Sequence, residues 1–152
     1  LSDRKGFTLA YTALLPLIKE GKLELSVAGG EGNEFNNFDV NCHGKIDSLL
    51  EFYGSCHVII IPSKYDSFPN VFLESLASST VPFLSRDLIT EDICGSTSKL
   101  LFDRNIESIH NVFESYISEE NFRIELSTEC AVQRSKYDFD WSASLHNILN
   151  KR

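Results

Sequence analysis

No apolar run in the 152-residue chain approaches the roughly 20 residues that cross a bilayer. The opening LSDRKGF is polar and does not read as a signal peptide. Positive charge is scarce: 14 Lys and Arg stand against 22 Asp and Glu, for a net charge of −8. That balance argues against nucleic-acid binding, which needs clustered cations to neutralise phosphates. A phosphorylated ligand would have to be held locally, by a helix N-terminus or one or two basic side chains. The four cysteines, Cys42, Cys56, Cys94 and Cys130, form no C-x-x-C pair. Their spacing fits no zinc pattern, even with His43 beside Cys42, so no metal site is expected. They read as reduced, mostly buried residues of a cytosolic protein. No repeat, low-complexity tract or linker interrupts the chain, so residues 1–152 read as one domain.

What is present is alternation. FTLAYTALLPLIKEG has helical spacing and stops at Gly21. KLELSVAGG reads as a strand with a glycine-rich exit, and DVNCHG as another short strand. KIDSLLEFYGSC reads as a short amphipathic helix with Ile46, Leu49, Leu50 and Tyr53 on one face. HVIII is an apolar, β-branched run of the kind covered on both faces in a parallel sheet. PNVFLESLASS reads as a helix, and VPFLS and SKLLFD as strands. Three helical stretches follow: NIESIHNVFESYISEE, NFRIELSTECAVQRSKY and DWSASLHNILNKR. Trp141 reads as a core anchor of the last one, with Lys151 and Arg152 at its end. His57 opens a strand and reads as packed.

The pattern predicts an α/β fold, a Rossmann-like doubly wound parallel sheet with extra C-terminal helices. Such sheets bind ligands beyond the carboxyl ends of their strands. Two loops fit that place, AGGEGN after LELSV and PSKYDSFPN after HVIII. GGEG, residues 29–32, is not the G-x-G-x-x-G fingerprint and fits a simple turn as well as a ligand loop. In PSKYDSFPNVFLES, Asp66 precedes a helix and Glu74 lies on its second turn. Between them, Ser67, Phe68, Pro69 and Asn70 bring backbone to a helix N-terminus, which favours an anion. The carboxylates would accept hydrogen bonds from polyol hydroxyls. A ligand with both phosphate and sugar hydroxyls, a nucleotide sugar, uses every part of the arrangement.

PSKYDSFPNVFLESLASSTVPFLS resembles the Glu-x7-Glu segment of retaining GT-B glycosyltransferases, family 4, with Asp66 and Glu74 at the two acidic positions. HGKIDSLLEFYGSCHVIIIPS resembles the segment before it. RKGF resembles the Lys-Gly that opens a helix, and YDFDWSASLHNIL the aromatic-rich start of the terminal helix. The sequence departs from the pattern at Asp66, a shorter acid, and at Ser67 and Ser79, where glycine is frequent.

The resemblance implies the C-terminal, donor-binding half of a two-domain enzyme, N-terminally clipped, with the acceptor half absent. Lys5 would neutralise the departing diphosphate and Asp66 would hold the donor sugar, and these two would be the catalytic residues. Donor contacts would come from Gly29, Gly30, His43, Gly44, Lys45, Ser67, Phe68, Pro69, Asn70, Val71 and Glu74, with Glu74 on the ribose. The implied reaction moves a sugar from a UDP- or GDP-type nucleotide sugar to a glycan or lipid-linked acceptor, with retention, no metal and no other cofactor. Polysaccharide, lipopolysaccharide or capsule synthesis in the cytoplasm, or at the inner face of the membrane with peripheral association, is the implied setting. A sugar-nucleotide epimerase of the same architecture and a non-catalytic binding or assembly module stay open.

Overall fold

Helix α1 (Phe7–Lys19) buries Ala10, Ala13, Leu14 and Leu17, the face that its apolar spacing marks. It stops where Gly21 takes φ +68°, a left-handed turn that suits glycine. The computed structural model describes residues 4–30, 33–65, 70–88 and 94–137. After α1 come β1 (Ser26–Val27), a 3-10 turn (Asn33–Phe35) and β2 (Asn41–Cys42). Then follow α2 (Leu49–Gly54), β3 (Val58–Ile61), α3 (Asn70–Ala77), β4 (Val81–Ser85) and β5 (Leu101–Phe102). Helices α4 (Ile106–Ser118) and α5 (Glu120–Tyr137) close the described part. The expected helix DWSASLHNILNKR, with Trp141, Lys151 and Arg152, lies outside the described residues.

Polar side chains set the helix starts. Ser48 Oγ accepts from the Glu51 N–H (3.3 Å) ahead of α2, and Asn105 Oδ1 from the Ser108 N–H (2.8 Å) ahead of α4. Among the described residues, every strand pair is parallel. Ser26 stands opposite Asn41, Val58 opposite Val81, and Leu84 opposite Leu101. Helix α1 packs on α4, while α2 and α5 pack on α3. Strand β4 is covered from both groups: α3 and α5 touch it, and the Phe83 ring meets Phe113 (5.3 Å) and Tyr116 (6.1 Å) of α4. Phe72, Phe83, Leu84, Leu100, Phe102, Ile109 and Leu126 form the driest part of the core. This is the doubly wound α/β arrangement that the alternation predicts.

The structure differs from the expectation in four places. The described strands form two sheets, β1-β2 and β3-β4-β5, rather than one. HVIII is not covered throughout: Val58, Ile59 and Ile60 are only half-buried, because one side of β3 faces a cavity instead of a strand. Helix α2 is shorter than expected and excludes Ile46. Leu49 and Leu50 are 45% and 57% exposed, so Tyr53 carries the burial of this helix. Of the cysteines, none in a disulfide, only Cys94 and Cys130 are buried; Cys42 sits on exposed β2. Burial pushes the Cys130 thiol up to about 11.

Candidate functional site

The carboxyl end of β3 runs straight into Pro62 and Ser63, both buried. Three contacts fix this stem. The Lys64 N–H donates to the Arg4 carbonyl (2.8 Å), and Arg104 Nε donates to the Pro62 carbonyl (3.0 Å). Gly6, at φ +73°, lies so close that a Cβ there would stand 2.2 Å from the Pro62 oxygen. Only glycine permits that approach. The turn therefore holds Lys5 at the end of β3, where helix α1 begins. Lys5, Tyr53, Pro62, Ser63, Asn70 and Val71 all line one cavity of about 1090 Å³. Asp66, Ser67, Phe68 and Pro69 lie outside the described residues.

Asn70 is the first residue of α3, exposed at the helix N-terminus, where unpaired N–H groups give a partial positive charge. Glu74 stands one turn on, half-buried. It faces α2 rather than a fully solvated surface. Burial, then the charge of Glu74 and a hydrogen bond to it, push the Tyr53 phenol up to about 12. Thr80 Oγ1 donates to the Tyr53 carbonyl (2.7 Å), so α2 is tied to both Glu74 and the segment after α3.

The other expected cluster forms at the carboxyl ends of β1 and β2. Gly29, Gly30 and Gly44 take φ +93°, +73° and +59°. The Gly29 N–H donates to the Gly44 carbonyl (2.6 Å) and the His43 N–H to the Val27 carbonyl (2.9 Å). The His43 ring meets Phe52 edge-on at 5.2 Å. Lys45 is exposed. The two loops thus form one unit, and the Gly29 N–H is used within it.

Expected residues fall into two groups, one around Lys5, Asn70, Val71 and Glu74, the other around Gly29, Gly30, His43, Gly44 and Lys45. Two further residues border the first group. Arg104 follows strand SKLLFD directly, and a basic residue at a strand's carboxyl end is a signal the sequence carries. Tyr53 belongs to an apolar face in the sequence, where its hydroxyl carries no separate signal. Among the described residues, no group of three or more His, Cys, Asp or Glu is placed to hold a metal ion.

Parallel strands flanked by helices, with polar loops gathered at the carboxyl ends, match the α/β domains of GT-B glycosyltransferases. The chain belongs to the family described as glycosyl transferases group 1, which it matches over residues 1–117. It is a glycosyltransferase domain. All of α5 lies beyond that match. Among solved structures, the chain is similar to the catalytic domain of cholesterol-alpha-glucosyltransferase from Helicobacter pylori, at TM-score 0.72 and 17% identity, covering 90% of this chain and 92% of that one. It is also similar to sucrose-phosphate synthase from Thermosynechococcus elongatus (TM-score 0.67, 16% identity, 99% and 43% covered). A third is a GtfA/B complex (TM-score 0.65, 15% identity, 90% and 31% covered). The chain spans less than half the length of the last two. No curated protein sequence matches it significantly.

Proposed function

We propose that this chain is the donor-binding half of a retaining, metal-independent glycosyltransferase using a UDP- or GDP-type sugar. The observation that carries the reading is convergence. Lys5 and the Asn70–Val71 end of α3 line one cavity at the carboxyl end of β3, fixed by Gly6 and by Arg104 through Pro62, and Glu74 stands one turn further along α3 beside Tyr53. A diphosphate would lie against Lys5 and the Asn70 end of α3, which oppose its charge. Glu74, an acceptor, would take the ribose hydroxyls, and Asp66 those of the sugar. As the glycosidic bond breaks, the diphosphate oxygen gains charge, and Lys5 stabilises it more in the transition state than in the ground state. The acceptor, a glycan or lipid-linked glycan, would approach from a second domain of a longer polypeptide. The proposed setting is the cytoplasm or the inner face of a membrane, in polysaccharide, lipopolysaccharide or capsule synthesis. No helix among the described residues is long and apolar enough to cross a membrane.

The test is calorimetric titration of UDP, GDP and their hexose conjugates into the full polypeptide, in the presence of a chelator. Product anomeric configuration is then read by NMR. Tight binding of one nucleotide series and transfer with retained configuration are expected. Inversion, a requirement for metal, or epimerised free nucleotide sugar as the only product would each overturn the reading.

A further inference from the structure

Helix α2 packs on α3 and has one buried residue, Tyr53. A phenylalanine would serve as well for packing alone. A tyrosine adds a hydroxyl, which needs a partner once it leaves water. The partner is Glu74, on the facing side of α3: the Tyr53 phenol donates to its carboxylate. The direction of the bond is set by chemistry, because an ionised carboxylate only accepts.

The same two residues are joined a second time, through their backbones. Ser78 Oγ donates to the Glu74 carbonyl (2.8 Å) and lies 3.4 Å from Thr80 Oγ1. Thr80, buried, donates from Oγ1 to the Tyr53 carbonyl (2.7 Å). The left-handed turn at Ser79 brings Thr80 back to α3, where its N–H donates to the Ser75 carbonyl (2.9 Å). A closed ring of hydrogen bonds thus runs from the Glu74 carboxylate to Tyr53, Thr80, Ser78 and back to the Glu74 carbonyl. On the other side of α2, Phe52 meets His43 at 5.2 Å, so the helix is also held from the glycine loops.

Such a ring matters for a side chain that must receive a ligand. A free glutamate loses rotamer freedom when it binds, and that loss weakens affinity. A donor already in place on one oxygen orders the side chain beforehand. The phenol does so without cancelling the carboxylate's charge, as a lysine or arginine partner would. It occupies one of about four acceptor sites on the carboxylate and leaves the others for ligand hydroxyls. We propose that Tyr53 is a positioning residue: it holds the Glu74 carboxylate in the orientation that receives a vicinal diol, and so sets the preference for a ribose over a sugar lacking both hydroxyls. The inference rests on the assignment of Glu74 to the ribose.

The test compares UDP or GDP, whichever the unaltered polypeptide binds, with its 2′,3′-dideoxy analogue. Both are titrated by calorimetry into the full polypeptide and its Tyr53→Phe, Glu74→Ala and doubly substituted forms, with melting temperatures for all four. Tyr53→Phe keeps the buried ring and removes only the donor. It should narrow the preference for the ribose form by about three- to tenfold, while the dideoxy analogue binds as before. In the Glu74→Ala background the same change should alter neither affinity. Equal weakening of both nucleotides by Tyr53→Phe would make Tyr53 a packing residue and overturn the proposal. An unchanged preference, or a full effect in the Glu74→Ala background, would overturn it too. A different pattern marks failure of the underlying assignment: no ribose preference in the unaltered protein, or one that survives Glu74→Ala, removes Glu74 from the ribose and the proposal with it.

Discussion

Strand β4 and the β1–β2 pair both pair in parallel and hold very different amounts of buried surface. Phe83 and Leu84 are 0% exposed, while β1 is half-buried and both residues of β2 are exposed. The difference lies in covering. Helix groups reach β4 from both faces, whereas β1 has the cavity on one side and a two-residue partner on the other. Stability is thus concentrated away from the glycine-bearing loops, which leaves those loops free to adjust.

The largest expected effect tests that contrast. Phe83→Ala removes a fully buried ring between Phe113 and Tyr116 and should cost about 3–5 kcal/mol in urea unfolding. Val27→Ala on half-buried β1 should cost less than about 1 kcal/mol. Comparable losses would break the comparison.

The next sharpens the account of the stem. Gly6 and Gly21 both take positive φ, at +73° and +68°, but a Cβ at Gly21 meets nothing within 4 Å. Gly21→Ala pays the backbone strain alone, about 1 kcal/mol. Gly6→Ala adds a clash with the Pro62 carbonyl and should cost about 1–3 kcal/mol more, with loss of nucleoside diphosphate affinity as Lys5 shifts. Equal thermal shifts for the two would mean that the stem is not tightly packed.

A third effect is pH-dependent. The Tyr53 phenol titrates at about 12 when folded, above its ordinary value near 10, chiefly because it is buried and also because Glu74 is beside it. The neutral phenol is favoured in the folded state. Its contribution is therefore fully present below pH 10 and is lost as pH rises through about 12. Tyr53→Phe should flatten that alkaline decline; an unchanged pH profile would remove Tyr53 from the account.

The smallest effect concerns Ser79, at φ +63° after α3. Arg134 of α5 donates to the Leu76 carbonyl (2.8 Å) and to Ser79 Oγ (3.1 Å), holding this helix end. Ser79→Gly relieves the strain and keeps the first bond, so stability should rise by up to about 1 kcal/mol. A fall would show that the Arg134–Ser79 bond outweighs the backbone.

Much of this was legible in the sequence for local reasons. Helix α1 is marked by its spacing and by Gly21, β3 and β4 by their apolar runs, and α4 by Asn105. Ser79, which the resemblance marks as a departure from a frequent glycine, falls on a left-handed residue. What was not legible depends on pairing at long range. The division into two sheets follows from which edges find partners, and no stretch of β1 or β3 encodes it. The Arg104–Pro62 contact joins residues 42 positions apart. Leu49 and Leu50 read as buried because their spacing is apolar, yet α2 has neighbours on the Tyr53 side and solvent on the other.

The central claim is that Glu74, on the second turn of α3 and beside Tyr53 of α2, receives the ribose of a nucleoside diphosphate. The most direct measurement is calorimetric titration of UDP and GDP into the full polypeptide and its Glu74→Gln variant, with melting temperatures for both. Glu74→Gln keeps the size of the side chain but removes the charge of the acceptor, worth about 1.5–3 kcal/mol in a charged hydrogen bond. The account predicts about tenfold or greater weakening of the preferred nucleotide with the fold intact. Equal affinity in both proteins, or no binding of either nucleotide to the unaltered protein, would contradict it.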